Sequence, residues 1–235
     1  MHFQQYITIF YVTATIGILL AKIFLPAGLT TYGKSKSAPK FWIERLVVPK
    51  QWFLHFYLVG FVINTIFLMK KGCFHLLLIL MEMQMLRRTI ESLIQAQSDS
   101  KIHLIHYILG LSYYFFTIEA LGQSNYSLNP VWILIFFLGT AGQFLCHRIL
   151  LKIRRTNSYQ IPEGFLFEYV SSPHYFCEII IYWSFAEMGN SFNLWLNVLF
   201  VITNLTVTAS NSQFWYRREF KGYPLNRKTL IPFLY

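Results

Sequence analysis

Seven apolar runs divide the chain, the first from Tyr6 to Leu25 and the others beginning near Trp52, Cys73, Ile102, Val131, Tyr175 and Phe192. Each is about 17–22 residues long, the length a helix rising 1.5 Å per residue needs to cross bilayer hydrocarbon. The pattern predicts an all-α fold, an integral membrane bundle of about seven transmembrane helices followed by a short cytosolic C-terminal tail. The third run is the weakest, because Glu82, Gln84, Arg87 and Arg88 interrupt it before it is long enough to span comfortably. The first run lacks the basic flank of a cleavable signal peptide and reads as a retained span. Between runs, Leu25 to Lys50 holds Pro26 and Pro39 and reads as a loop leading to Val47-Val48-Pro49-Lys50 at the next helix start. No repeat, low-complexity tract or long linker separates two domains, so residues 1–235 are expected to form one domain.

Composition agrees with that pattern: 55% of the 235 residues are hydrophobic, 19% aromatic and only 13% charged, about half the charged share of a soluble domain. The charge balance adds an orientation. Lys34, Lys36, Lys40, Arg45 and Lys50 lie between runs one and two; Arg87, Arg88 and Lys101 follow run three; Lys152, Arg154 and Arg155 follow run five; and Arg217, Arg218, Lys221, Arg227 and Lys228 crowd the tail. The intervening connections carry almost no Lys or Arg, so the positive-inside rule places the N-terminus in the lumen and the C-terminus in the cytosol. Asn125-Tyr126-Ser127 is a glycosylation sequon in a short connection predicted lumenal. Cys73, Cys146 and Cys177 all fall in apolar segments without paired spacing, which argues against a disulfide framework and against a zinc site. With nothing else in the chain soluble, the basic excess is not read as nucleic-acid binding.

Polar groups at membrane depth are costly and mark a site facing other helices or a wet cavity. Gln143, His147 and Arg154 stand at i, i+4 and i+11 and so share one side of a helix; a snorkelling helix end would account for Arg154 but not for the two deeper residues. His174 and Glu178 also share a side, just after the helix start Ser172-Pro173, where free N–H groups and a positive dipole end suit a phosphate. The alternatives for that pair are a buried ion pair that fixes helix packing and a metal site, for which the sequence offers no third ligand. His55 and Tyr57 on run two, with Glu82, Gln84, Arg88 and Glu91 on run three, form a third set, in which Glu91 and Arg87 or Arg88 are spaced to pair on a solvated helical face. The tail from Gln213 to Lys228 interleaves basic and aromatic side chains, fitting either a clamp on a nucleotide or a juxtamembrane anchor.

The tail YPLNRKTLIPFLY, preceded by IPEGFLFEYVSSPHYFCEIIIYW, resembles the C-terminal half of the steroid 5α-reductase family, and within it the branch that reduces polyprenyl lipids. VVPKQWFLHFY (Val47 to Tyr57), QMLRRTIE (Gln84 to Glu91) and QFLCHRILLKIR (Gln143 to Arg154) extend the likeness over most of the chain after residue 40. The resemblance implies an endoplasmic-reticulum enzyme with NADPH in a cavity open to the cytosol, held by about residues 131–235, and a polyprenyl lipid substrate entering from the membrane. On the family pattern Gln143, His147 and Arg154 line the adenosine and phosphate side of the cofactor. His174 and Glu178 contact its nicotinamide end, and Tyr216 and Arg227 close over it. Where steroid reductases carry a glutamine-glutamate pair on the second helix, this chain has His55-Phe56, and Met85 stands near the position of their third-helix tyrosine. That departure disfavours a 3-oxo-Δ4-steroid and leaves the catalytic proton donor among His55, Tyr57, Arg88 and Glu91.

Hydride attacks an electron-poor carbon, which the α-isoprene double bond becomes only when conjugated to a carbonyl, so the aldehyde polyprenal is the expected substrate ahead of the alcohol polyprenol. The resemblance implies that the reduction leads toward dolichol for protein N-glycosylation. Two other classes stay open at this point. One is a membrane methyltransferase using S-adenosyl methionine in a similar pocket; the other is a seven-helix receptor or transporter, which would spread its polar residues along a central pore.

Overall fold

A computed structural model describes residues 2–24, 46–94, 101–156 and 159–235. The loop cations Lys34, Lys36, Lys40 and Arg45, with Pro26 and Pro39, lie outside the described residues. Among the described residues there are seven α-helices: α1 (His2–Phe24), α2 (Phe53–Lys70), α3 (Leu76–Ile94), α4 (Leu104–Gly122), α5 (Pro130–Arg154), α6 (Pro173–Gly189) and α7 (Phe192–Glu219). Five are long and apolar enough to cross a membrane: α1, α2 with its preceding turn, α4, α5 and α7. The 17-residue α6 is shorter, and α3 carries Glu82, Arg87, Arg88 and Glu91 along its length. The helices start where local chemistry dictates. Asn129 caps α5, its side chain accepting from the Val131 N–H at 3.1 Å, with Pro130 in the first turn where no N–H is needed.

Two short strands were not foreseen. β1 (Val47–Pro49) pairs antiparallel with β2 (Lys101–His103) in the register Val47↔His103, Val48↔Ile102 and Pro49↔Lys101. β1 leads through a 3₁₀ turn, Lys50–Trp52, into α2, and β2 runs directly into α4, so the pairing satisfies backbone groups as the chain enters its apolar segments. Three-residue strands fall below the length at which alternation registers in a sequence.

The chain packs as two compact units, Met1–Leu128 with Phe185–Asn197, and Asn129–Ser184 with Val198–Tyr235. In the first, buried polar groups satisfy one another: Tyr11 Oη lies 2.9 Å from Thr117 Oγ1, Asn197 donates to the same oxygen at 3.2 Å, and the Tyr113 hydroxyl donates to Asn197 at 3.1 Å. Also in this unit, the fully buried Asn64 of α2 donates to the Leu78 carbonyl at 2.8 Å and to the Glu82 carboxylate of α3. Cys73, expected within an apolar run, instead sits exposed in the α2–α3 connection. In the second unit, α5 and α6 approach so closely that a Cβ at Gly139 would meet the Cys177 carbonyl at 3.2 Å, and one at Gly142 would meet Cys177 Sγ at 2.9 Å. The tail of this unit is folded, not extended. Trp215, Tyr216 and Tyr223 form a buried aromatic cluster, and Lys228 bridges to Val170.

Candidate active site

In the first unit, the expected catalytic residues fall into two groups. His55 and Tyr57 are two residues apart on α2 and point to different sides of it, as about 100° of turn per residue requires. On one side, Arg88 Nη2 donates to Tyr57 Oη at 2.6 Å, and its guanidinium carbon lies 4.6 Å from the Tyr57 ring centre. Arg88 and Arg87 both ion-pair with Glu91, and Arg87 also donates to Gln84 Oε1 at 3.0 Å. The spacing of Glu91 to the two arginines gives the pairing expected of an α3 helix face, but that face is not solvated: Glu91 and Gln84 are buried at 7% and 3% exposure. Two guanidinium groups share the Glu91 carboxylate, and one of them reaches the Tyr57 hydroxyl. A phenol whose oxygen accepts from a cation becomes a stronger donor through its own O–H, which suits an oxygen that turns anionic during reaction.

On the other side of α2, His55 Nδ1 lies 2.9 Å from the Tyr107 hydroxyl of α4. The Trp52 ring packs on both, with centroids 5.4 Å from His55 and 5.2 Å from Tyr107. Tyr107 was missed in the sequence, since nothing in its spacing links it to a residue 52 positions earlier.

The seven expected cofactor residues all belong to the second unit. The Gly139 and Gly142 approach sets Gln143 of α5 against Glu178 of α6, and Gln143 Nε2 donates to Glu178 Oε2 at 3.3 Å. One turn along, the His147 and His174 rings stand 5.7 Å apart, with Phe167 6.3 Å from His174. Thr140 lies on the same side of α5 as Gln143 and His147, and its buried hydroxyl finds no hydrogen-bond partner among the described residues. Next to Phe167, Glu168 ion-pairs with Arg227 at 3.8 Å. Arg154, at the exposed end of α5, and Arg227 both lie near enough to act electrostatically on Tyr216, which stacks on Tyr223 at 5.5 Å.

Arg227 itself is 4% exposed and works as a latch. Its Nη1 donates to the Pro162 carbonyl at 2.8 Å, while Gln213 donates to the Arg227 carbonyl at 2.9 Å. Ser171 N–H donates to the Lys228 carbonyl at 2.8 Å, Lys228 N–H to the Tyr169 carbonyl at 2.9 Å, and the Ser171 and Tyr223 hydroxyls lie 2.6 Å apart. The loop it grips turns at Gly164, whose φ of +87° favours glycine and whose N–H donates to Glu168 Oε1. The IPEGFLFEYVSSP and YPLNRKT segments are thus one interlocked piece of structure.

The profile of the family described as 3-oxo-5-alpha-steroid 4-dehydrogenase matches residues 106–235. Polyprenal reductase of Saccharomyces cerevisiae is 31% identical, covering 90% of this chain and 85% of the relative. Polyprenal reductase of Xenopus tropicalis is 28% identical over 92% of this chain and 90% of the relative, and polyprenal reductase 1 of Arabidopsis thaliana is 29% identical over 82% and 83%. The profile covers more than half of the chain, and the likeness to the yeast protein extends over nine-tenths of it. The chain therefore belongs to the 3-oxo-5-alpha-steroid 4-dehydrogenase, or steroid 5α-reductase, family of oxidoreductases, on the side of that family whose members bear the name polyprenal reductase.

Proposed function

We propose that this protein is an NADPH-dependent reductase of the α-isoprene double bond of a polyprenyl lipid, acting on polyprenal in preference to polyprenol and leading toward dolichol for protein N-glycosylation. It works in the endoplasmic-reticulum membrane with its N-terminus lumenal and its C-terminus cytosolic, as one reductase domain whose residues from about 131 onward hold the cofactor. The observation that carries the reading is the bond from Arg88 to Tyr57, in a chain whose relatives bear the name polyprenal reductase.

The residues of the second unit fit a dinucleotide. Arg154 and Arg227 supply positive charge, Gln143 with Glu178 supplies amide and carboxylate groups, Tyr216 and Tyr223 supply ring faces, and the orphaned Thr140 hydroxyl is available to a ligand. Bound NADPH would provide the hydride that the β-carbon of the unsaturated aldehyde accepts. Tyr57, polarised by Arg88, holds the aldehyde oxygen as it gains negative charge and so stabilises the enolate. Glu91 keeps both guanidinium groups in place. The α-carbon then takes a proton, with the His55–Tyr107 pair as a second donor within α2 and α4.

The test is purified protein with NADPH and, separately, polyprenal, polyprenol and a 3-oxo-Δ4-steroid. Polyprenal should be reduced fastest. Equal rates on the alcohol without an oxidising partner would contradict the aldehyde preference, and faster turnover of the steroid would move the protein to the activity of its family's description. Glu178→Gln and Arg154→Ala should both weaken NADPH affinity. Unchanged affinity in the pair would overturn the cofactor assignment, and binding of S-adenosyl methionine without NADPH would overturn the reductase reading.

A further inference from the structure

Within the second unit lies an apolar cavity of about 310 Å³ that the chemistry above does not use. Trp132 of α5, Phe176 and Trp183 of α6, Ile202 and Thr206 of α7, and Leu230 of the tail are among its walls. A water in such a space needs two to four polar partners, whereas the surface these walls present is almost wholly apolar. The filling this space favours is hydrocarbon. Since α5 and α7 are both of membrane-crossing length and composition, bilayer lipid is its source.

Two further observations say which lipid. On α6, Phe176, Ile180 and Trp183 point roughly opposite to His174 and Glu178, by about 100° per residue, so a chain in the cavity is not the tail of a substrate whose head meets that pair. On α7, Ile202, Thr206, Ser210, Gln213 and Arg217 recur at four- and three-residue steps and share one side of the helix. Arg217 is exposed, and its Cα lies eleven residues beyond Thr206, a rise of roughly 16 Å, about half the thickness of bilayer hydrocarbon. Lys228, also exposed, stands two residues before Leu230 in the tail. An apolar slot walled by two helices of membrane-crossing length, with Lys228 beside its Leu230 wall and Arg217 about 16 Å from Thr206 along α7, matches an acyl chain and its anionic headgroup in charge.

We propose that this groove is a binding site for one anionic glycerophospholipid, an acyl chain lying between α5, α6 and α7 and its phosphate meeting Arg217 and Lys228. The lipid then helps hold the tail, because Leu230 and Ile231 form part of the wall and the Tyr235 hydroxyl lies 3.1 Å from Ser210 Oγ on the same side of α7. The site is independent of the reductase reading.

Native mass spectrometry of the full chain, extracted with mild detergent from membranes of mixed anionic and zwitterionic phospholipid, tests this. Wild type should keep one anionic phospholipid per chain. Thr206→Trp and Ile180→Trp, which fill the slot from different helices, should each lower retention by about tenfold or more, and Arg217→Gln with Lys228→Gln should abolish the preference for anionic over zwitterionic lipid. A bare wild-type chain, wild-type retention in a folded filled variant, or a polyprenyl lipid in place of the phospholipid would overturn the assignment. If neither filled variant folds, the wild-type stoichiometry and the headgroup preference of the double variant still decide it.

Discussion

Two arginine-centred clusters, one in each unit, look alike in a composition table and do different work. Arg87 and Arg88 on α3 are paired to a carboxylate a turn away on the same helix, and one of them reaches across to a single phenol. Arg227 in the tail is more deeply buried, yet it is held by a backbone carbonyl 65 residues earlier in the chain and by a half-exposed glutamate. Burial of a cation therefore does not mark chemistry. The identity of its partner does: a cation spent on a backbone carbonyl joins segments, while one aimed at a hydroxyl changes what that hydroxyl can do.

The largest expected effect separates the two clusters by function. Tyr57→Phe removes the polarised donor with almost no change of volume, and should lower kcat by about 100- to 1,000-fold, the usual cost of losing one donor to a developing oxyanion, with a fall in unfolding temperature limited to what one lost hydrogen bond from Arg88 costs. An equal loss of rate and stability would show that Tyr57 is structural. Arg227→Met reverses that signature: it leaves the Pro162 carbonyl without its donor and should cost about 1–3 kcal/mol of stability, read as a lower unfolding temperature and a raised KM for NADPH. A pure kcat effect would break the contrast between latch and catalyst.

Gly142→Leu sharpens the comparison from inside the second unit. Its side chain has no room beside Cys177, so α5 and α6 must part, at about 1–3 kcal/mol, the typical cost of overpacking. NADPH affinity should fall because Gln143 and Glu178 separate, whereas the variant's rate at saturating cofactor should change little. A smaller effect is expected of Tyr107→Phe, which keeps the ring against Trp52 and removes one hydrogen bond to His55. A loss of rate exceeding that of Tyr57→Phe would exchange the roles of the two pairs.

The smallest effect is a pH response away from both clusters. Burial, reinforced by the positive charge of Lys71, lowers the pKa of His75 below its ordinary 6.5. The unfolded chain then binds the proton more readily than the folded one, so the contribution of His75 is present above pH 6.5 and is lost as pH falls toward its folded value. The unfolding temperature should drop between pH 7.5 and pH 5, and the drop should shrink in His75→Gln. An unchanged drop would assign the response to other groups.

Long elements and local pairs were legible in the sequence, and contacts between distant segments were not. Each of the seven apolar runs is a helix among the described residues, and for the five of membrane-crossing length and composition a helix is the solution lipid leaves to some twenty apolar residues. The Arg87–Glu91 and Arg88–Glu91 pairs followed from i+4 and i+3 spacing. Their burial did not, since spacing says nothing about what packs over a helix face. The β1–β2 pairing, the Tyr107 partner of His55 and the Arg227–Pro162 bond join residues 52 to 65 positions apart by hydrogen bonds that leave no periodic trace. The resemblance of the FEYVSSP and YPLNRKT segments marked both as important without saying that they interlock.

Hydride position is the most direct test of the proposed reaction. Purified protein is given NADPH carrying deuterium at the transferable hydride position, together with polyprenal, and the product is analysed by mass spectrometry. The account predicts one deuterium on the β-carbon of a product saturated at its α-isoprene. Deuterium on the carbonyl carbon with the double bond intact, or unlabelled polyprenal recovered in full, would contradict it.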